Sequence, residues 1–141
     1  MIRRKIDMPY MSIRISQGIT PNQKKKLVED IGAAIDKYVG IPSGPKMVEY
    51  ELVDVPAENL ARGGKLPAGS SSAYVIINVM NKRTAELKRG LAQEAVQAVA
   101  KQLGIPSESQ EITVEIVECS PDNISHGGKL TLDNPPPGVK L

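Results

Sequence analysis

The chain repeats itself. Gly40-Ile41-Pro42-Ser43 returns as Gly104-Ile105-Pro106-Ser107, and Gly63-Gly64-Lys65-Leu66 returns as Gly127-Gly128-Lys129-Leu130. Thr20, Lys24, Leu27 and Asn59 have counterparts in Thr84, Lys88, Leu91 and Asn123, and every pair is 64 residues apart. Pro9–Leu66 therefore lies on Ala73–Leu130 without a gap, with 18 of 58 positions identical. One register held through a whole unit marks an internal duplication, so the fold is one supersecondary unit packed against its own copy. The expected organisation is a single domain over residues 1–141. It has a first repeat at about 9–66, a linker at 67–72, a second repeat at about 73–130 and a C-terminal arm at 131–141.

Each copy reads as strand, helix, strand. Tyr10–Ser16 alternates, with Ile13 and Ile15 on one face and Ser12, Arg14 and Ser16 on the other, the pattern of a half-buried strand. Its counterpart Tyr74–Met80 is more uniformly apolar, which predicts burial on both faces. Thr20, Pro21 and Gln23 then form a helix start: an N-cap, a proline at the first helical position and the glutamine of a capping box. Leu27, Ile31, Ala34, Ile35 and Tyr38 follow as an apolar stripe, and Gly40 with Pro42 ends it. The second copy runs from Thr84 through Leu87, Leu91, Ala95, Ala98, Val99 and Leu103 to Gly104 and Pro106, with Leu87 in place of the capping glutamine. Val48–Val55 and Ile112–Cys119 are β-branched strands, each leading to a Gly-Gly pair that predicts a tight turn or a close backbone approach.

A crossover helix leaves the two strands of each unit parallel. Two units then predict an α+β fold, a four-stranded sheet with two helices on one face. The opposite sheet face is left uncovered in a single chain, which predicts oligomerisation. Pro135-Pro136-Pro137 excludes ordinary helix and central strand from the tail, which reads as an arm on a neighbouring subunit or as disordered chain.

Composition narrows the function classes. A net charge of +2, with four Tyr and no Phe or Trp, argues against nucleic acid as a partner. Arg3-Arg4-Lys5 and Lys24-Lys25-Lys26 read as solvated surface. No apolar run suits a signal peptide or a membrane span, and the expectation is a cytoplasmic protein with no membrane partner. Cys119 is the only cysteine, no ligand cluster has metal-binding spacing, and no glycine loop precedes a helix to cradle phosphate.

Met8-Pro9, the strand after it, Gly18, the Thr20-capped helix and Arg62-Gly63-Gly64-Lys65-Leu66 together resemble the tautomerase superfamily of the 4-oxalocrotonate type. Those proteins begin Met-Pro and end their unit in a Gly-Gly-hydrophobic turn. The duplication resembles the fused members, such as the cis-3-chloroacrylic acid dehalogenases and malonate semialdehyde decarboxylases, and the likeness spans about Met8 to Leu130. It implies a tautomerase/MIF-like fold, a homotrimer and cofactor-independent chemistry on a small carboxylate-bearing substrate. In such enzymes initiator methionine is removed, and the free proline amine acts as general base while arginines clamp the substrate carboxylate.

Carried onto this chain, the resemblance implies Pro9 as the catalytic proline and Arg83 as catalytic and substrate-binding arginine. The first-copy counterpart of Arg83 is Ile19, and Ala73 stands where Pro9 would recur. Leu60 and Ile124 fall at the apolar wall. His126, the only histidine, lies beside the second Gly-Gly turn, a surface residue or an acid/base group. The second-strand arginine is absent, with Glu49 and Thr113 in its places, and the dehalogenases' additional arginine is Met80. Tyr10, Tyr50 and Tyr74 read as packing residues.

Seven residues precede Met8, and an internal proline is an amide without a basic nitrogen. Three readings stay open at this point: a tautomerase of an unsaturated 2-oxo acid, a hydratase, dehalogenase or decarboxylase of a three-carbon acid, and a non-catalytic oligomeric binding protein with Pro9 blocked.

Overall fold

The computed structural model describes residues 10–16, 18–39, 49–69 and 71–135. Met8-Pro9, the first helix stop at 40–43, Val48 and the arm beyond Pro135 lie outside the described residues.

The first repeat runs β1 (Tyr10–Ile15), α1 (Pro21–Val39) and β2 (Glu49–Asp54), and the second β3 (Ala73–Met80), α2 (Ala85–Leu103) and β4 (Ile112–Cys119). A two-stranded hairpin, β5 (Ser125–His126) and β6 (Lys129–Leu130), follows. The sheet order is β2-β1-β3-β4. Each repeat pairs its own strands in parallel, and the repeats join through antiparallel β1 and β3.

In that central pairing Ser12 stands opposite Ile76, its own counterpart 64 residues on. A pseudo-two-fold axis therefore passes between them, and the two repeats point their strands in opposite directions. The outer face follows the same symmetry. Tyr10 Oη donates to Glu51 at 2.6 Å, and Tyr74 Oη donates to Glu115 at 3.1 Å.

The helix starts are those expected. Gln23 N–H donates to Thr20 Oγ1 at 3.2 Å while Thr20 N–H donates back to Gln23 Oε1 at 2.8 Å, a complete capping box. In the second copy Leu87 N–H donates to Thr84 Oγ1 at 3.2 Å, and Gly104 ends α2 in the left-handed region at φ 68°.

The core lies between the helices and one sheet face. Met11, Ile13 and Ile15 of β1 and Val75, Ile77 and Val79 of β3 meet Leu27, Ile31 and Ile35 of α1 and Leu91, Ala95 and Val99 of α2. Burial of β3 on both faces is not what forms. Tyr74, Ile76 and Asn78 stay half-buried, because both helices cover the same side and nothing among the described residues covers the other.

Tyr38, expected in the apolar stripe, is half-buried against α2 at Gly90. A β-carbon on that glycine would lie 2.3 Å from the ring, so glycine is what lets α1 approach there. Among the described residues, no helix is long and apolar enough to cross a membrane.

Candidate active site

The antiparallel join decides which expected residues share an end of the sheet. Tyr10 opens β1 opposite Asn78, whose Nδ2 donates to the Tyr10 carbonyl at 3.3 Å. Three residues beyond Met80, the last residue of β3, comes Arg83. The β1 entrance and the β3 exit are thus at one end. Pro9, bonded to Tyr10, lies outside the described residues.

Arg83 is held from both sides. Before it, Asn81 N–H donates to the Cys119 carbonyl at 3.0 Å, tying the strand exit to β4. After it comes the Thr84 cap, at the positive end of the 19-residue helix α2. Between them Lys82 turns the chain at φ 68°, the only non-glycine among the described residues with positive φ. Such backbone strain costs a lysine roughly 1 kcal/mol or more and persists where surrounding contacts impose it.

Among the described residues the Nε of Arg83 is buried without a hydrogen-bond partner. A guanidinium N–H withdrawn from water and left unpaired is a standing demand for an acceptor. Together with the α2 amides it makes this end attractive to a carboxylate.

Ile124 and His126 lie in the loop that leaves β4 from the same end, since Met80 pairs with Cys119. The loop is well tied. Thr131, buried among it, donates both its N–H, at 2.8 Å, and its Oγ1, at 3.2 Å, to the Ile124 carbonyl. Gly127 and Gly128 take φ 58° and 78°, the two-residue primed hairpin turn that only glycine makes without strain. The turn closes β5 on β6 and fixes His126, whose Nε2 is buried without a partner among the described residues. Gly63 and Gly64 repeat the same angles between Arg62 and Lys65.

Leu60 is elsewhere. It follows β2, which runs parallel to β1, and so belongs to the end where Ile15 meets Ala73. The two residues expected at one apolar wall, Leu60 and Ile124, are therefore not brought together within a chain.

That second end carries a cavity of about 260 Å³, lined by Leu60 with Arg14, Ser16, Asn59, Ser72 and Tyr74 among others. Sequence pattern alone does not reveal it, because Arg14 reads there only as an outward strand residue. Its signal is the duplication itself, which must create a counterpart for every end of the sheet.

Tyr50, read as packing, stands on β2 with a buried hydroxyl that has no partner among the described residues, and burial pushes its pKa up to about 12. Among the described residues no cluster of three His, Cys, Asp or Glu could hold a metal ion.

No protein-family model matches the chain, and no curated protein does. Solved structures do. A fused 4-OT, the wild-type F6 asymmetric trimer, superposes with a TM-score of 0.77 at 23% identity, over 90% of this chain and 99% of its own. Pt0534 inactivated by 2-oxo-3-pentynoate gives 0.74 at 21% identity, over 86% and 94%. N1, a member of the cis-3-chloroacrylic acid dehalogenase family, gives 0.73 at 20% identity, over 86% and 82%. Coverage this complete on both sides, with a four-stranded mixed sheet and two helices in common, shows that the chain has the two-repeat tautomerase fold.

Proposed function

We propose that this protein is a cofactor-independent tautomerase of a small unsaturated 2-oxo acid, with Pro9 as proton shuttle and Arg83 as carboxylate clamp. The observation that carries the reading is the buried, unpaired Nε of Arg83 at the end where β1 begins. It is an N–H donor awaiting an acceptor, at the end of the sheet where β1, the strand that follows Pro9 in the chain, begins.

The chemistry needs little else. With its amine free and neutral, Pro9 takes the enol hydroxyl proton. The oxygen lone pair closes the C2 carbonyl, and the C2=C3 electron pair becomes the new C3–H bond by taking the proton back from the prolinium. Arg83 holds the carboxylate and offsets charge on the developing enolate. The fold it shares with a protein inactivated by a 2-oxo acid supports that substrate class. Its likeness to two trimeric fused 4-OT structures supports a homotrimer.

The buried, unpartnered Nε2 of His126 favours one competing reading, addition of water to a three-carbon acid by a hydratase or dehalogenase, with the imidazole in acid/base exchange. Turnover of 3-chloroacrylates, with loss on His126→Ala and none of phenylenolpyruvate, selects it.

The test begins with the intact mass of the natively expressed protein. A mass that starts at Pro9 is expected, as is alkylation at Pro9 by 2-oxo-3-pentynoate. In a chain beginning at Met8, Pro9→Ala should abolish conversion of phenylenolpyruvate or 2-hydroxymuconate. A native mass starting at Met1, with no turnover of either acid, makes the protein a non-catalytic binding protein instead.

A further inference from the structure

We propose that the opposite end of the sheet, at Ala73, is a second carboxylate site that binds a small organic acid and does not turn it over. The duplication puts Ala73 where Pro9 stands in the first copy. Ala73 N is an acylated amide, and its N–H is already committed to the Glu111 carbonyl at 3.0 Å. The free proline amine proposed for the first end has no counterpart there. The counterpart of Arg83 is Ile19, so the clamp of the first end is missing as well.

A different cation replaces it. Arg14 projects from β1 on the outer face, and its guanidinium lies 5.0 Å over the Tyr74 ring. The counterpart of Arg14 is Asn78, so this charge belongs to the Ala73 end alone. Stacking on a ring occupies the face of a guanidinium and leaves its N–H edge free, the geometry that receives a carboxylate in two parallel bonds. Among the described residues Arg14 has no ion-pair partner. Arg62 and Glu111, the other charges on the cavity wall, are paired with each other.

The serines add donors. Ser16 Oγ accepts from Ser72 N–H at 2.7 Å and spends its own proton on the Ser72 carbonyl at 3.2 Å. Among the described residues Ser72 Oγ donates to Ser16 Oγ at a long 3.3 Å, a weak bond that its proton can exchange for one to a ligand. Val55, Leu60 and the Tyr74 ring give the apolar part of the wall. The cavity, about 260 Å³, is at the small end of ligand pockets, the size of a short organic acid. One uncompensated positive charge selects a monoanion.

The test is an NMR titration of the full-length protein with sodium butyrate, against sodium chloride at equal ionic strength. Saturable shifts of the Ser16, Ser72 and Ala73 amides are expected with butyrate and not with chloride. Arg14→Gln should weaken binding about tenfold or more, the worth of one charge-assisted pair. Arg14→Lys, which keeps charge and stem and loses the fork, should fall between and serves if the glutamine variant does not fold. Arg83→Gln should leave these shifts unchanged, which separates this site from the one assigned to Pro9. Absence of saturable shifts, equal shifts with chloride, or undiminished binding by Arg14→Gln overturns the proposal.

Discussion

Replacing Gly90 by alanine sets helix propensity against packing. Inside an exposed helix the change is favourable by about 0.5–1 kcal/mol, because glycine loses more backbone freedom on folding. Here the new β-carbon would lie 2.3 Å from Tyr38 Cε1, 2.5 Å from Cζ and 2.8 Å from Oη. Carbon atoms in contact sit roughly 3.5–4.0 Å apart, so the ring must retreat by more than about 1 Å. Lys37 resists this, lying 5.1 Å over the Tyr38 ring and pairing with Glu94 of α2 at 3.4 Å. Forced overpacking of this kind costs about 1–3 kcal/mol. Gly90→Ala should therefore destabilise by about 1 kcal/mol net. Urea unfolding at fixed protein concentration measures it, and a double-mutant cycle isolates the cause. In a Tyr38→Ala background the clash is gone, and the same substitution should stabilise by about 0.5–1 kcal/mol. A Gly90→Ala protein as stable as that background predicts, with Tyr38 intact, would show that the ring is not held against the glycine and refute the argument.

Further expectations follow from other sites. Tyr50 has its pKa raised from an ordinary 10.0 to about 12 by burial, so the unfolded chain ionises first. Stability should then be full below pH 10 and fall as pH rises toward 12. Because the residue is only half-buried, the loss should be well under the roughly 2.7 kcal/mol of two full units. Tyr50→Phe should flatten that fall and cost nothing at pH 7, read from urea midpoints at pH 8 and 11. Gly127→Ala puts a side chain at φ 58° and should destabilise by about 1 kcal/mol, with the His126 ring resonances shifted in NMR spectra. Thr84→Ala removes the oxygen that receives Leu87 N–H and should cost about 1 kcal/mol in thermal unfolding.

What could be read from residues alone divides along physical lines. Local signals were sufficient for the helices and turns. Thr20-Pro21 with Gln23 specifies a helix start by chemistry that acts within four residues, and both bonds of the capping box form. Gly127-Gly128 likewise carries its own turn. The parallel pairing within repeats follows from the crossover helix, and the pattern of Ile13 and Ile15 gives the buried face of β1. Failures came where burial depends on a second element. The apolar run of β3 reads as covered on both sides, yet coverage is decided by where the helices lie. Gly90 carries no periodic signal, because its purpose is a ring from the other repeat. The site shows the same division. Arg83 is legible through resemblance, whereas the strain at its neighbour Lys82 and its own orphaned Nε exist only in three dimensions. Leu60 and Ile124 match in sequence and separate in space, since an antiparallel junction sends equivalent positions to opposite ends.

That junction has an evolutionary corollary. The eight residues of β3 span about 26 Å, so the two extremities of the sheet do not touch the same ligand. A single-unit ancestor assembling with itself would have to keep both extremities identical, and every substitution would appear twice. Once fused, each extremity answers to its own codons. An alanine can then stand at one while a proline is retained at the other, and new specificity can be tried without surrendering the old.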